Sequence, residues 1–321
     1  MNRREILAAV ALLLPAAARA QEPGVTHRIA VLAPSQFSVE AIRLAVIPEL
    51  GRLGYVEGKN LAVSYYVASL DELPRLAAEA VALRPQVVIA STNPAVSAVI
   101  AASATTPVVM AFAGEDPVAA GIAKSLARPG GSVTGLTNMA TQLDGKRVAL
   151  LHEAVPMARR IGFLAIPPPR HVASLAEMER VAAELGLVTH TVYAYHSAEY
   201  AAAFAALRSA GAQAVATASA PEYLRDASVI ARHASEAALP IIGEFANLAR
   251  EGFFIGFGPD LIAFRRRAAG FVARILQGAA PGDLPIELPT TFELVVNMKT
   301  ARVLGLTLPA SILARADEVI E

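Results

Sequence analysis

Two hydroxyl residues, Ser91 and Thr92, stand between a short apolar run and a segment with helical character. The run 87–90 is typical of a buried strand, and the segment 95–102 is typical of a helix. Hydroxyls and free backbone N–H groups at such a junction can converge on a carboxylate. Ser91 and Thr92 are therefore candidate ligand contacts. They could equally cap the helix, and the two roles are compatible.

Carboxylates follow other strand-like runs and form a second group of candidates. Glu115 and Asp116 follow one such run, and Pro117 at a first helical turn makes Asp116 an N-cap candidate. Either carboxylate could instead pair with a ligand ammonium group. Glu244 ends a later run and is a further candidate amine partner. Asp260 precedes a predicted helix, which it could cap, or it could face a ligand.

Polar and aromatic residues at other strand ends complete the candidate site. Asn138 and Ser219 could add polar contacts, because loop residues on a rigid scaffold are well placed to bind. A ligand ring would need apolar or aromatic walls, although core packing is the usual fate of an aromatic residue beside a strand. The aromatic residues at or near predicted strand ends are Phe37, Phe112, Tyr223, Phe245 and Phe257.

Several function classes lack their expected residues. The chain has no cysteine, and its six histidines are isolated, so we expect no metal site and no cofactor. It has no Gly-x-Ser-x-Gly elbow, no P-loop and no GxGxxG after a strand, so no catalytic residue is assigned. The formal net charge is zero and the basic residues are scattered, which argues against binding to nucleic acid.

The elements that must position these residues form two similar series. From residue 28 to 112, strand-like runs alternate with helical segments, and a second series of the same kind runs from 160 to 245. Corresponding glycines, serines and prolines in the two series lie about 130 residues apart. This alternation predicts an α/β protein with two Rossmann-like lobes, each built on a parallel sheet covered by helices on both faces.

Three passages of the chain between the lobes are expected. The first lies near 134–138, where glycines break the rhythm, and the others lie near 256–260 and 281–291. The predicted N-terminal lobe comprises 27–137 plus 260–283, and the predicted C-terminal lobe comprises 138–259 plus 284–321. Ligands of open parallel sheets bind outside the carboxyl ends of the strands, so two such edges would form a cleft with a hinge.

Residues 1–20 have the three parts of a secretory signal peptide. Asn2, Arg3 and Arg4 precede the apolar run 6–14, and Ala18-Arg19-Ala20 resembles a cleavage site. We expect export to the periplasm, with the choice between the general and the twin-arginine route left open. The apolar run is shorter than the roughly 20 residues that a spanning helix needs, and no cysteine could carry a lipid anchor.

Several long motifs resemble one family of proteins. They are 53–61 (LGYVEGKNL), Asp116-Pro117-Val118, 126–135 (LARPGGSVTG), Gly258-Pro259-Asp260 and the segment 284–306 with Phe292-Glu293-Leu294-Val295-Val296-Asn297. These motifs resemble the ABC-transporter substrate-binding family that includes tryptophan/tyrosine-type binding proteins. The sequence departs from the family pattern at 166–169 (IPPP) and at 253–257 (FFIGF), both of which lie where a ligand could bind.

The resemblance implies a type I periplasmic-binding-protein fold that closes on a small ligand, such as an aromatic or branched-chain amino acid. It also implies delivery to a permease and an ATPase in the inner membrane. We expect a monomer without enzymatic activity. Two alternatives remain open: a ligand-sensing partner of a membrane receptor, which would share the fold and the cleft, and a periplasmic enzyme that uses strand-end carboxylates as general acid and base.

Overall fold

A computed structural model describes residues 26–168 and 172–321. The expected signal peptide, and Pro169 of the departing 166–169 segment, lie outside the described residues. The described residues form an α/β protein with two sheets, which confirms the predicted fold class. No helix in the described part of the chain has the length and apolar character needed to cross a bilayer.

The elements alternate as the sequence pattern predicts. The strands are β1 (His27–Ala33), β2 (Leu61–Val67), β3 (Val87–Ala90), β4 (Val108–Ala113), β5 (Val133–Thr137), β6 (Arg160–Ala165), β7 (Val188–Tyr193), β8 (Ala214–Thr217), β9 (Ile241–Gly243), β10 (Ile255–Pro259), β11 (Ile286–Glu287), β12 (Phe292–Asn297) and β13 (Glu318–Ile320). The helices are α1 (Gln36–Arg52), α2 (Leu73–Ala82), α3 (Asn93–Ala102), α4 (Ala140–Ala154), α5 (Val172–Glu184), α6 (Tyr200–Ser209), α7 (Pro221–Arg225), α8 (Ala227–Glu236), α9 (Ala246–Arg250), α10 (Leu261–Leu276), α11 (Met298–Val303) and α12 (Ala310–Leu313).

The two sheets share one strand order. The first runs β11-β5-β4-β3-β1-β2, and the second runs β13-β12-β10-β9-β8-β6-β7. Without β11 in the first sheet, and without β12 and β13 in the second, each sheet has the doubly wound order 2-1-3-4-5 of its own first five strands. The pairings are parallel except for that of β10 with β12, which is antiparallel. The similarity of the two predicted series therefore reflects one plan used twice.

Each sheet is covered by helices on both faces. In the first lobe, α1 and α10 pack on one face of the sheet, and α2 and α3 pack on the other. In the second lobe, α4 and α5 cover one face, and α6 and α8 cover the other. Strands buried on both sides explain the unbroken apolar runs, such as 87–90, in which all four residues of β3 are buried.

The chain passes between the sheets at their carboxyl edges. β5 of the first sheet leads through residues 138–139 into α4 of the second lobe, and β10 of the second sheet leads through Asp260 into α10 of the first lobe. The third passage, 288–291, joins β11 to β12, whose first residue pairs with Pro259 at the end of β10. Because covering helices run antiparallel to the strands, these short passages place the two carboxyl edges opposite each other.

Three local differences from the sequence pattern are found. Ile286 and Glu287 pair with β5 in the first sheet, so the third passage follows Glu287 and not residue 283. One helix is predicted from about 223 to 237, but the structure has α7 and α8, separated at Asp226. The Asp226 carboxylate accepts hydrogen bonds from Tyr200 and Arg225, which hold it at the break. Residues 117–120 form turns where a helical start is expected.

Candidate functional site

The carboxyl end of β3 carries Ser91, Thr92 and Asn93. Thr92 is the N-cap of α3, and its Oγ1 accepts a hydrogen bond from the Ala95 N–H at 3.3 Å. Thr92 therefore caps the helix, which is one of the two roles that the sequence left open for it. The Ser91 hydroxyl oxygen is buried and has no hydrogen-bond partner among the described residues. Of the two hydroxyl oxygens, that of Ser91 is therefore the one whose hydrogen-bonding capacity is wholly unused within the described residues.

Asn93 shares this edge of the sheet, although the sequence pattern does not single it out. It is buried, with a relative exposure of 5%. Its Nδ2 donates to the backbone carbonyl of Glu115 at 3.4 Å, which ties α3 to the segment after β4. Its Oδ1 is buried and receives no hydrogen bond from any described residue.

Asp116 caps the turn that follows β4. Its Oδ1 accepts hydrogen bonds from the Val118 N–H at 2.8 Å and from the Ala119 N–H at 3.3 Å. This is the capping role expected for Asp116, although the element that follows is a run of turns and not a helix. Glu115 beside it has an exposed side chain. The backbone carbonyl of Glu115 accepts hydrogen bonds from Asn93 and Thr137.

Asn138 begins the first passage between the lobes. Its backbone N–H donates to Ala113 at 3.0 Å, so β5 and β4 end side by side. Its side chain is 5% exposed, and its Oδ1 has no hydrogen-bond partner in the described part of the chain. The next residue, Met139, has a φ of 47°, a left-handed conformation that turns the chain into α4.

The second lobe presents Ser219 and Glu244 at adjacent strand ends. Ser219 follows β8, and its hydroxyl accepts from Arg147 at 2.7 Å and donates to Asp144 at 3.1 Å. Glu244 follows β9 and is 6% exposed, and its Oε2 lacks a hydrogen-bond partner among the described residues. Ser219 is thus held in a polar network, while Glu244 retains an unused oxygen.

Burial raises the pKa of Glu244 to about 7 because a charge is poorly solvated there. Its neighbours Arg147 and Ser219 oppose this rise by stabilising the charged form, and Asp144 adds to it. Arg265, which belongs to α10 of the other lobe, also lies near enough to stabilise the charge. Glu244 therefore lies at the junction of the lobes and is poised to change its protonation state near neutral pH.

A buried ionic cluster supports this edge, and it is absent from the sequence-based candidates. Arg147 and Asp144 of α4 are 1% and 0% exposed and form an ion pair. Arg147 also donates to the Phe257 carbonyl at 3.3 Å, and Ser174 of α5 donates to Asp144. The cluster fixes α4 and α5 against β8 and β10. The only sequence signal for it is the i, i+3 spacing of opposite charges, which is typical of an exposed helix face.

Asp260 caps α10 at the second passage. Its Oδ1 accepts hydrogen bonds from the Ile262 N–H at 3.1 Å and from the Ala263 N–H at 3.0 Å. Burial raises the pKa of Glu293 on β12, and the nearby charge of Asp260 raises it further. Of the two roles open to Asp260 from the sequence, the geometry therefore displays the capping role.

The aromatic candidates separate by burial. Tyr223 and Phe245 are buried in the second-lobe core, where the Tyr223 hydroxyl donates to the Ala194 carbonyl at 2.9 Å. Phe37 is 39% exposed at the carboxyl edge of the first sheet. Phe257 stacks on Phe292 with ring centroids 6.1 Å apart. Phe112 is part of β4, and its side chain lies outside the described structure.

The departing segment 253–257 contributes mainly to packing. Phe253 and Phe254 are completely buried, in the two core clusters of the second lobe. Phe257 is also buried, in the same cluster as Phe254, and Lys146 lies 5.1 Å from its ring centroid. Among the described residues, no group of three or more His, Asp and Glu side chains could hold a metal ion.

Two repeated lobes, joined by three passages at facing strand ends, define the architecture of type I periplasmic binding proteins. The family model for ABC transporter substrate binding proteins matches residues 28–320. The chain therefore belongs to the ABC transporter substrate-binding protein family, as its motifs indicate.

Individual relatives agree with this assignment. The tyrosine-binding protein of Clostridioides difficile is 24% identical over 280 residues, which are 84% of this chain and 78% of that protein. A conserved domain protein from Vibrio cholerae has a similar structure, with a TM-score of 0.82, 28% identity and coverage of 92% and 99% of the two chains. The ABC domain from Streptococcus pneumoniae in complex with L-Trp gives a TM-score of 0.80, 24% identity and coverage of 92% and 100%.

Proposed function

We propose that this protein is the periplasmic solute-binding component of an ABC import system and that it captures an amino acid in the cleft between its lobes. Membership of the substrate-binding family supports the general role. The named ligands of two relatives, tyrosine and L-Trp, favour an amino acid and make aromatic amino acids the first candidates. Branched-chain amino acids are the next class to test.

One observation carries the proposal: both facing edges have buried polar oxygens without partners among the described residues. Ser91 and Asn138 provide them on the first lobe, and Glu244 provides one on the second. A buried polar atom that makes no hydrogen bond costs about 1–3 kcal/mol, so proteins rarely keep several without a use. A small polar ligand between the lobes would supply the missing partners.

The sequence-based site residues fall into two groups under this proposal. Ser91, Asn138 and Glu244 are direct contacts, because each has an oxygen to offer. Thr92, Asp116, Ser219 and Asp260 shape the site, because their side-chain oxygens already bond within the protein. Thr92 and Ser219 retain a ligand role only through further hydrogen bonds of their hydroxyl groups.

Closure of the two lobes would convert binding into a signal for transport. A ligand that contacts both edges binds the closed form more strongly than the open form, and it therefore shifts the population toward closure. The closed form would then deliver the ligand to a membrane permease and its ATPase. The three short passages at residues 138–139, 260 and 288–291 would form the hinge.

A thermal-shift screen of the purified protein tests the proposal. The panel contains the twenty amino acids, aromatic acids, nucleobases and sugars. A ligand that binds only the native state raises the melting temperature, and at 100 times its Kd it adds about 2.7 kcal/mol to stability. We expect a rise with one amino-acid class and confirmation by calorimetry. Turnover of a panel compound without stable binding would refute the proposal in favour of an enzyme.

A further inference from the structure

Two of the unpartnered side-chain oxygens of the first lobe belong to asparagines that flank one short segment, and the third belongs to Ser91, two residues before Asn93 at the end of β3. Asn93 and Asn138 lie on either side of residues 113–115, which follow β4. Asn93 donates to the Glu115 carbonyl, and the Asn138 backbone N–H donates to the Ala113 carbonyl. Thr137 binds both carbonyls, at 3.0 and 3.2 Å. Bonds to this one segment thus hold both asparagines in place.

All three of these oxygens can accept hydrogen bonds. The Oδ1 atoms of Asn93 and Asn138 can only accept hydrogen bonds, and the hydroxyl of Ser91 can accept as well as donate. Both asparagines are 95% buried by relative exposure, since each is 5% exposed. No described residue donates to any of the three oxygens. A partner for this set must therefore bring several donors and need not bring an acceptor.

We propose that Ser91, Asn93 and Asn138 form a subsite for the primary ammonium group of the ligand. An ammonium group carries three N–H donors, which match three neutral acceptors. The inference rests on the proposed function and adds to it the group by which the ligand is recognised. Asn93 becomes a specificity residue of the site, and an acid that lacks the amine is rejected because it leaves the acceptors unpaired.

Glu244 is the competing acceptor for an ammonium group, and its surroundings make it the weaker choice. The guanidinium groups of Arg147 and Arg265 already stabilise its charge, so an incoming cation would meet two positive groups. Asn93 and Asn138 instead bond to the backbone carbonyls of Glu115 and Ala113, which carry no positive charge. The first lobe therefore provides the better-matched site for a cation.

Gly114 lies beside the Asn138 acceptor. A Cβ added to Gly114 would lie 3.9 Å from Asn138 Oδ1 and 3.8 Å from Ala140 Cβ, which are ordinary van der Waals contacts. Gly114→Ala should therefore fold normally and yet place a methyl group beside the acceptor. The substitution offers a steric probe that leaves both asparagines unchanged.

Matched ligands test the subsite by calorimetry. The probes are L-tyrosine, its deaminated analogue 3-(4-hydroxyphenyl)propanoate, and tyramine, with L-leucine and 4-methylpentanoate as a second pair. For the amino acid that binds, we expect the deaminated analogue to bind at least about tenfold more weakly, which corresponds to one lost hydrogen bond to a charged group. Equal affinity for an amino acid and its deaminated analogue would overturn the subsite while leaving the proposed function in place. Failure of every amino acid in the larger panel would overturn both.

Variants separate the subsite from general stability. Asn138→Leu and Gly114→Ala should each weaken binding of the amino acid by about tenfold or more. Asn297→Leu is the matched control, because this equally buried asparagine at the end of β12 has both amide atoms bonded, to Ala249 and Thr300. Asn297→Leu should lower the melting temperature and leave affinity unchanged. Unchanged affinity in both subsite variants, with loss in Glu244→Gln, would assign the ammonium to Glu244 and refute the subsite.

Discussion

At the scale of single residues, one buried carboxyl group lies where its charged form is disfavoured. Glu244 is buried at the carboxyl end of β9, and its pKa is raised to about 7. The folded protein thus holds a proton more tightly than the unfolded chain, whose glutamate has a pKa near 4.5. The favourable contribution of the protonated group is complete below pH 4.5 and is lost as the pH rises through 7.

Replacement by glutamine should reveal this cost. In the absence of ligand, Glu244→Gln should raise the stability of the protein at pH 8 by on the order of 3 kcal/mol, and the gain should fade toward pH 5, where the wild-type residue is largely protonated. Melting temperatures of both proteins at pH 5, 6, 7 and 8 measure the effect. Glu251→Gln, at an exposed position, serves as the control. A gain of equal size at pH 5 and pH 8 would contradict the raised pKa.

At the scale of elements, close approach of two backbones explains why a strand position can require glycine, although glycine is unfavourable within a strand. A Cβ added to Gly258 in β10 would lie 1.8 Å from the Glu244 carbonyl oxygen. The backbones of β10 and of the segment after β9 therefore touch at Glu244. In contrast, Gly270 lies within α10, and a Cβ there would meet nothing within 4 Å.

The same substitution should therefore have opposite effects at the two glycines. Gly270→Ala should stabilise the protein by roughly 0.5–1 kcal/mol, since alanine favours a helix more than glycine does. Gly258→Ala should destabilise it by about 1–3 kcal/mol, because the added methyl group forces the two backbones apart. Chemical denaturation of both variants gives the two free energies. Loss of stability in Gly270→Ala, or none in Gly258→Ala, would contradict this account.

Periodicity is sufficient to predict most elements, because local patterns determine them. The strands buried on both faces appear as continuous apolar runs, such as 87–90, and Thr92 and Asp260 cap helices as their positions predict. The break at Asp226 could not be predicted, because it depends on Tyr200, which lies 26 residues away. The antiparallel direction of β12 likewise depends on where the third passage delivers the chain.

The sequence predicts the candidate site less completely than it predicts the fold. A residue at a strand end can be recognised, but its unused hydrogen-bonding capacity cannot, because this depends on which neighbours fold against it. Ser91 and Thr92 are equivalent in sequence, yet only the oxygen of Thr92 is used by a helix cap. Asp144 and Arg147 have the spacing of an exposed ion pair, and the packing of α5 buries them.

At the scale of the whole molecule, the connections limit how the lobes can move. The passages are two residues, one residue and four residues long, at 138–139, 260 and 288–291. Under the proposed hinge mechanism, three short connections at neighbouring strand ends would oppose sliding of one lobe over the other and favour rotation about the passages. Met139, with its left-handed backbone, belongs to the first of these passages. Ligand binding should therefore close the molecule without changing either lobe internally.

Small-angle scattering tests this motion. With the amino acid identified by the thermal screen at saturation, the radius of gyration should fall, because the two masses approach each other around the hinge. Far-ultraviolet circular dichroism should stay constant, since no helix or strand forms or melts. The wild-type protein without ligand is the control, and it should keep the larger radius. A radius that does not change when calorimetry shows the wild-type site to be full would mean that the ligand binds without hinge closure, and the rotation argued from the three passages would be wrong.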